Sequence, residues 1–193
     1  MNALAGRRIA KVSGTPGKTR MLNVFEMPLV RGEWCVVDSE ANRPSAPHRQ
    51  QPPTTHHAFY LLDLPGYGYA KASHTERRAF RLLITHVLDR ARLAGVVWLL
   101  DIRREPSDDD WTMQQLFAER GTPVLAALTK SDAVARTART RRAGELRSTL
   151  ELAEDQMIMT SAREKEGIAE LRQAIGGLIR RPPSDTTAQT RTE

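Results

Sequence analysis

Cysteine is almost absent from this 193-residue chain, which contains only Cys35. A single thiol can form neither an internal disulfide nor a zinc site with several thiolate ligands, and this cysteine usage fits the cytoplasm. The chain also lacks a signal-peptide pattern and any apolar run near ~20 residues. No internal repeat is found. We therefore predict a cytoplasmic protein without a membrane span.

Acidic residues are the minority among the charged side chains. Asp and Glu number 23 against 29 Lys and Arg, which gives a net charge of +6. This excess of positive charge favours a polyanionic partner such as RNA, although charge alone does not identify the polyanion. A chain of this length has room for one domain with a sizeable core and an added tail, so two domains are not expected.

The most informative stretch is an apolar run over residues 58–62 that stops at Asp63 and continues as Leu64, Pro65 and Gly66. The run predicts a parallel strand buried on both faces, and ligands of open α/β sheets lie beyond the carboxyl ends of such strands. Asp63 can hold Mg²⁺ through water there, and Gly66 lets a backbone N–H approach a γ-phosphate. Taken alone, this Asp-x-x-Gly pattern is equally compatible with an ordinary turn after a strand.

The apolar pattern also predicts the other helices and strands. Gly6 is suited to the left-handed residue that ends a helix, so residues 1–6 are predicted to be a last helical turn. Strands are predicted at 21–27, 34–37, 58–63, 96–101, 123–128 and 156–162, and helices at 75–90, 107–121 and 167–180, with an arginine-rich helix before the last strand.

Two segments have the composition of loops. Residues 38–57 are rich in Pro, Ser, Gln and Thr and too poor in apolar residues to pack, which predicts a flexible insertion between two strands. His48, His56 and His57 lie in it, and paired histidines can bind a metal. Without a helix or strand to fix their spacing, ordinary solvated histidines are the favoured interpretation. Residues 181–193 are predicted to be a disordered tail.

The end of the predicted strand at 123–128 carries a pattern that can recognise a base. It continues as Thr-Lys-Ser-Asp at 129–132. The Asp132 carboxylate can accept hydrogen bonds from the ring N–H and 2-amino group of guanine, a pair of donors that adenine does not offer, while the Lys130 stem lies along the base. After the strand at 156–162, the backbone N–H groups of Ser161 and Ala162 can meet the guanine carbonyl oxygen.

Two charged clusters allow both a functional and a structural interpretation. Asp108, Asp109 and Asp110 follow Ser107, and they can be a metal cluster or the acidic first turn of a capped helix. The helix interpretation is favoured because the dipole and a Ser107–Asp110 capping box stabilise acids at that position. The arginine-rich helix, with Arg136, Arg139, Arg141, Arg142 and Arg147, is either a solvated face or an RNA contact.

Several short motifs occur together in the order and spacing of translation-factor-class GTPases. They are Thr-Pro-Gly-Lys-Thr-Arg at 15–20, Asp-Leu-Pro-Gly-Tyr-Gly-Tyr-Ala-Lys at 63–71, Asp-Ile-Arg at 101–103 followed by Pro106 and Asp110, Thr-Lys-Ser-Asp at 129–132 and Thr-Ser-Ala at 160–162. Over residues 1–180 the chain closely resembles the EngB (YihA/YsxC) family of bacterial ribosome-assembly GTPases. The resemblance implies a three-layer α/β P-loop GTPase (Ras-like) domain that binds GTP or GDP with Mg²⁺.

The resemblance also implies roles for individual positions. It implies a first switch of Gly17, Lys18, Thr19, Arg20 and Met21; a γ-phosphate and magnesium motif of Asp63, Leu64, Pro65 and Gly66; a guanine-reading motif of Thr129, Lys130, Ser131 and Asp132; and a base-backing motif of Thr160, Ser161 and Ala162. Thr19 would ligate Mg²⁺ directly and Asp63 through water, whereas without the family context a lone loop threonine is taken as solvated. Ser131 replaces the alanine more usual in the family.

No catalytic residue is assigned. Tyr67 follows Gly66 where Ras-like enzymes carry the glutamine that orients the attacking water. The family that the chain resembles also lacks this glutamine, so slow intrinsic hydrolysis, assisted by the ribosome or a monovalent cation, is the expectation. Family members act in assembly of the large ribosomal subunit, and a link to division septum formation is associated with them. The implied partner is ribosomal RNA or a precursor of that subunit, and the chain is expected to be a monomer.

One family motif is not found in the 193 residues. A Gly-x-x-x-x-Gly-Lys-Ser/Thr phosphate loop is absent, and Gly17-Lys18-Thr19 only imitates its end because Val12 stands where its first glycine is needed. We therefore expect a GTPase domain without its first strand and P-loop, with the true start upstream of Met1. The strands at 58–63 and 96–101 would flank that strand at about 9.6 Å, too far to pair.

Three hypotheses about function follow. The first is a GTPase of ribosome assembly whose nucleotide affinity is poor, and which is inactive, without the upstream segment. The second is a non-enzymatic basic module that binds RNA or the ribosome. The third is a fragment without function.

Overall fold

The computed structural model describes residues 1–10, 22–30, 33–34, 57–66 and 74–180. The chain divides into two compact units, residues 1–69 and 70–193. The first contains α1 (Asn2–Ala5), β1 (Asn23–Val30), β2 (Glu33–Trp34) and β3 (His57–Asp63). The second contains α2 (His74–Leu88), β4 (Val96–Asp101), α3 (Asp108–Glu119), β5 (Val124–Thr129), α4 (Arg136–Thr149), β6 (Met157–Met159) and α5 (Ile168–Arg180), with short 3₁₀ turns at Ser131–Ala133 and Glu154–Gln156.

The sheet of the first unit has the order β2-β1-β3. Strand β3 runs antiparallel to β1, with Asn23 opposite Asp63 and Leu29 opposite His57. The prediction of a parallel strand covered on both faces is therefore wrong for 58–63: Tyr60 is 61% exposed. An antiparallel sheet can leave one face to solvent, which an apolar run does not reveal by itself.

The first unit also contains residues at two predicted segment boundaries, His57 and Gly6. His57 is the first residue of β3, so it does not belong to the predicted insertion, whose remaining residues 38–56 lie outside the described ranges. Gly6 ends α1 with φ 67°, the left-handed conformation that its position predicted. The tail at 181–193 is likewise outside the described residues.

The sheet of the second unit is parallel, in the order β4-β5-β6. Its central strand β5 is the most deeply buried, and Ala126, Ala127 and Leu128 are fully inaccessible to solvent. The register places Asp101 of β4 opposite Thr129 of β5. Because parallel strands end at the same edge, the residues that follow β4, β5 and β6 are brought together there.

Helices of the second unit bury one face each. The ring of Trp98 in β4 meets Phe117 of α3 edge-on, with ring centroids 5.7 Å apart. The capping box predicted for α3 is confirmed: the Ser107 hydroxyl accepts from the Asp110 N–H, and the Asp110 carboxylate accepts from the Ser107 N–H at 2.8 Å. The acidic first turn is thereby explained as a helix start.

The two sheets are not joined by any pairing among the described strands, since β3 pairs only with β1 and β4 only with β5. In the described part of the chain, no helix is both long and apolar enough to cross a lipid bilayer.

Candidate guanine-recognition site

The end of β5 turns sharply into the predicted guanine-reading motif. The Thr129 hydroxyl donates to the carbonyl of Leu100 at 3.0 Å, which fixes the last residue of the strand against β4. Lys130 then adopts a left-handed backbone with φ 62° and ψ 35°, an uncommon conformation for a residue with a side chain. A 3₁₀ turn at Ser131–Ala133 follows, so Asp132 lies on a compact turn rather than on an extended loop.

Asp132 is held by the neighbouring Thr-Ser-Ala loop. The hydroxyl of Ser161, which is fully buried, donates to Oδ1 of Asp132 at 2.6 Å and accepts from the N–H of Glu164 at 3.0 Å. This hydrogen bond from Ser161, with smaller contributions from the charges of Arg163 and Arg139, lowers the pKa of Asp132 below its usual value. The carboxylate is therefore ionised at neutral pH, the state that accepts hydrogen bonds from a base.

A second set of contacts joins the same two loops, residues 129–132 and 160–162. The buried Ser131 hydroxyl donates to Glu166 Oε2 at 2.8 Å, and its backbone N–H donates to the Thr160 carbonyl at 3.1 Å. Glu166 also pairs with Arg139, whose Nη1 lies 2.9 Å from Oε2 and whose Nε donates to the Val134 carbonyl. Ser131 is thus a hydrogen-bonding member of these loops.

Sequence-based prediction did not identify Glu166, and it considered Arg139 only as part of the arginine-rich helix, not as a residue of this site. Glu166 is 35 residues from Ser131 and 27 residues from Arg139 along the chain, so no local spacing records these contacts. The available signals were weak: an acid just before Gly167 and an arginine at the start of a helix. Both residues act on the loops rather than on a bound base.

One predicted backbone contact is corrected. The N–H of Ser161 donates to the carbonyl of Glu166 at 3.0 Å, so it is already engaged within its own loop and does not serve the guanine oxygen. A short antiparallel bridge between these residues closes the loop, which sequence motifs do not show. Thr160 is buried, and its N–H and hydroxyl both donate to the Leu128 carbonyl. For Ala162 the backbone contact stays a prediction.

The side chain of Lys130 forms an ion pair with Asp101, the last residue of β4. Its Nζ lies 3.0 Å from Asp101 Oδ2, and Arg103 forms two further bonds to the same carboxylate, Nε to Oδ1 at 2.9 Å and Nη2 to Oδ2 at 2.7 Å. Arg103 first, and then Lys130, hold the pKa of Asp101 well below its usual range. The amine of Lys130 is thereby paired with Asp101, next to the turn that carries Asp132.

The stability that the ion pairs of Asp101 contribute should depend measurably on pH. We expect Asp101→Asn to lower the free energy of unfolding by about 1 kcal/mol at pH 7, because a charge-assisted contact at a partly exposed site is lost. The folded-state pKa of Asp101 is depressed, so its carboxylate stabilises fully above the unfolded-state pKa of ~3.9 and progressively less as the pH falls below it. Urea denaturation at pH 7 and pH 3 measures the difference between the two proteins.

The control for this prediction is Asp155→Asn, which makes the same chemical change at an exposed residue of the Glu154–Gln156 turn. We expect no measurable change of stability in that variant at either pH. A stability difference between Asp101→Asn and the unmodified protein that is as large at pH 3 as at pH 7 would contradict the assigned ion pairs.

The predicted phosphate and magnesium residues are described separately from the base-reading loops. Asp63 ends β3, Leu64 and Pro65 are half-buried and Gly66 is exposed. Burial lowers the pKa of the Met1 amino group, and the Asp63 charge opposes this shift. A carboxylate at a strand end fits an Mg²⁺ ion held through water. Gly17, Lys18, Thr19, Arg20 and Met21 lie outside the described residues.

Four of the five arginines of helix α4 form ion pairs with acids of the chain. Arg142 donates to the carbonyls of Ile102 and Arg104 and pairs with Glu105 at 2.8 Å. Arg139 is bound to Glu166, as described above. Longer pairs join Arg141 to Glu145 at 3.8 Å and Arg147 to Glu154 at 3.6 Å. For Arg139 and Arg142, whose side chains are mostly buried, the structural interpretation is favoured over RNA contact.

Comparison with known proteins places the chain in a family. A family model described as 50S ribosome-binding GTPase matches residues 1–130. The probable GTP-binding protein EngB of Gemmatimonas aurantiaca is 34% identical over 191 residues, covering 98% of this chain and 80% of the relative. That of Syntrophomonas wolfei subsp. wolfei is 32% identical over 181 residues, covering 93% and 79%. That of Bordetella pertussis is 37% identical over 166 residues, covering 85% and 70%.

A solved structure agrees with the fold. The crystal structure of a probable GTP-binding protein engB superposes with a TM-score of 0.54 at 20% identity, covering 63% of this chain and 76% of that chain. At that identity the likeness supports the fold alone. Together with the family model, it confirms the predicted α/β class and P-loop GTPase fold, and the resemblance drawn from the motifs is confirmed by the sequence relatives. The chain belongs to the EngB family of GTP-binding proteins.

Proposed function

We propose that this protein binds GTP and GDP, recognises the guanine base through Asp132, and acts with Mg²⁺ in the cytoplasm as a GTPase in assembly of the large ribosomal subunit. The observation that carries the proposal is the ionised Asp132 carboxylate, which the buried Ser161 hydroxyl holds on a turn that Glu166 and Arg139 brace. A carboxylate fixed in this way at the end of a parallel strand is a pre-organised acceptor for a base.

The chemistry of this acceptor selects guanine. Guanine presents two adjacent donors, the ring N1–H and the 2-amino group, and a carboxylate accepts from both. Adenine presents an acceptor at N1 and has no 2-amino group, so one oxygen of Asp132 would face a lone pair. The Lys130 stem, fixed by Asp101 at its amine, is placed to cover the flat face of the base.

At the phosphate end, the proposal assigns roles to residues without fixing their geometry. Asp63 would hold Mg²⁺ through water and Thr19 through its hydroxyl, and the N–H of Gly66 would meet the γ-phosphate. The bound ion would supply neutralisation of the phosphate charge. Because the 193 residues contain no Gly-x-x-x-x-Gly-Lys-Ser/Thr motif, contacts to the base are expected to provide most of the affinity of this chain.

Nucleoside monophosphates test the base-reading part directly, since they need no triphosphate cradle. We expect two-dimensional NMR titrations to show shifts of the amides at 129–132 and 160–162 with GMP. Binding of IMP, which lacks the 2-amino group, should be about 10-fold weaker because one bond to a charged acceptor is lost, and AMP should bind about 100-fold more weakly. Equal binding of AMP and GMP would contradict the proposal.

The ribosomal part of the proposal has its own test. The net charge of +6 favours an RNA partner, and the same charge also fits the second candidate, a module that binds RNA without nucleotide. Co-sedimentation with purified large-subunit precursors, measured with and without GTP and Mg²⁺, separates the two. Binding that GTP strengthens supports the GTPase, and binding of equal strength without nucleotide supports the module.

A further inference from the structure

The first half of helix α2 carries three exposed arginines. Arg77, Arg78 and Arg81 lie within five consecutive positions of the helix, which span about 6 Å along its axis and a sector of about 100° around it. In the second half of α2, Ile84, Val87 and Leu88 are buried, and Ile84 and Leu88 continue the side of the helix that carries Arg77 and Arg81. The second half of α2 is thus packed into the core, and the three arginines are exposed on its first half.

These arginines are not neutralised within the part of the chain that the structure describes. None of the three takes part in an ion pair there, whereas four of the five arginines of α4 do. Of the two acids between residues 74 and 92, Asp89 accepts a bond from Arg120 at 3.0 Å, and Glu76 has other contacts. In α4 only Arg136 is absent from the described ion pairs, so α2 groups more arginines that no described acid pairs with.

Two more arginines follow the helix in the sequence, and the helix itself exposes one large apolar residue. Arg90 and Arg92, just after α2, are also exposed, so the segment 74–92 has five arginines against two acids. Leu82 is 64% exposed next to Arg81 and Arg78 on the helix. Arginine forks bind phosphate oxygens with two bonds each, and an exposed leucine beside them can contact a ribose or an unstacked base.

We propose that this α2 surface, formed by Arg77, Arg78 and Arg81 with Leu82 beside them, is an RNA-docking surface that binds the phosphate backbone. The kind of partner rests on the proposed function, but the surface does not include the guanine-reading loops. RNA is favoured over an acidic protein because free arginines grouped on one rigid face suit closely and regularly spaced phosphates.

A charge-matched pair of triple variants tests this inference. One variant changes Arg77, Arg78 and Arg81 to Gln, and its control changes Arg136, Arg141 and Arg147 of α4 to Gln, so both lose three positive charges and keep good helix formers. The probe is a fluorescein-labelled RNA stem-loop, and binding is measured by fluorescence anisotropy at several KCl concentrations. Unfolding midpoints and GMP titrations of both variants verify that the fold and the base-reading loops are unchanged.

The two variants should behave differently. We expect the α2 variant to lose at least about 10-fold in RNA affinity and its salt slope, log K against log [KCl], to become shallower by about 2, because three phosphate contacts are lost. The α4 variant should lose less than about 3-fold, as expected for a change in net charge alone. The single substitution Arg78→Gln should give an intermediate loss.

Other outcomes overturn the inference in distinguishable ways. Equal losses in both triple variants would mean that only net charge matters, and an unchanged α2 variant would place the RNA elsewhere. Displacement of the labelled RNA by polyglutamate as readily as by unlabelled RNA would indicate an acidic protein partner instead. If the unmodified protein does not bind RNA at all, the ribosomal part of the proposed function fails together with this inference, while the GMP result is unaffected.

Discussion

Asp132→Asn is expected to abolish the preference for guanine and to replace it with a preference for xanthine. The amide keeps an oxygen that can accept from N1–H but presents an N–H₂ group toward the 2-position, where guanine also presents donors. Xanthine carries a carbonyl oxygen there and restores the second bond. Because each bond to a charged acceptor is worth about 1.5–3 kcal/mol, GMP should bind about 100-fold more weakly. NMR titrations with GMP and XMP measure both affinities.

The substitution is a clean test because the surroundings of Asp132 tolerate it. The carboxamide oxygen can still accept from the Ser161 hydroxyl, so the contact between the two loops is kept. Asp155→Asn serves as the matched control, since it removes the same charge from an exposed turn outside these loops. An Asp132→Asn protein that still prefers GMP to XMP would show that another residue recognises the base.

Much of the fold could be predicted from the sequence because the determining interactions are local. The capping box of Ser107 and Asp110 spans one helical turn, and Gly6 ends α1 through its own backbone conformation. The apolar runs of β4 and β5 are dense enough to identify buried strands. The motif at Thr129–Asp132 could be placed beyond β5 for the same reason.

What could not be predicted depends on which segments meet. An apolar run does not state whether its neighbour is parallel, so the antiparallel pairing of β3 with β1 was missed. The free N–H expected at Ser161 is consumed by Glu166, which lies in the same loop but turns back on it. The composition of α4 indicates its charge but not that Arg139 and Arg142 are bound to distant carboxylates and carbonyls.

The loops around Asp132 also show how sheet register brings separate motifs together. Asp101 and Lys130 are 29 residues apart, yet β4 and β5 place Asp101 opposite Thr129. The carboxylate at the end of one strand can therefore hold the lysine that follows the other. The same edge receives Ser161 after β6, which holds Asp132. Three consecutive strand ends thus fix the two side chains that a base would contact.

Gly167→Ala is expected to be among the most damaging small substitutions in the second unit. Gly167 has φ +67°, and an added Cβ would lie only 2.0 Å from the carbonyl oxygen of Met159, the last residue of β6. Left-handed strain costs an alanine about 1–2 kcal/mol, and relief of the backbone clash must move either β6 or the loop. We expect a loss of about 3 kcal/mol or more, which lowers the melting temperature by about 6–12 °C.

The structural change in Gly167→Ala should also affect the guanine site, because Gly167 directly follows Glu166. The Glu166 carbonyl accepts from Ser161 and its carboxylate accepts from Ser131, so a displaced Gly167 loosens both loops that hold Asp132. GMP binding should therefore weaken even at temperatures where the variant remains folded. The measurements are thermal unfolding followed by circular dichroism and the GMP titration at 15 °C, about the temperature of maximum stability for many domains.

Alanine substitutions at two other glycines separate the cost of backbone strain from the cost of the steric clash. Gly121 has φ +57° with nothing within 4 Å of an added Cβ, so Gly121→Ala carries the backbone strain alone and should cost about 1–2 kcal/mol. Gly144 lies inside α4 with equally open space, and Gly144→Ala should stabilise the protein by about 1 kcal/mol through helix propensity. Neither should change GMP affinity. If Gly167→Ala proved no worse than Gly121→Ala, the close approach of residue 167 to Met159 would not constrain the site, and the bracing of Asp132 through this loop would be refuted.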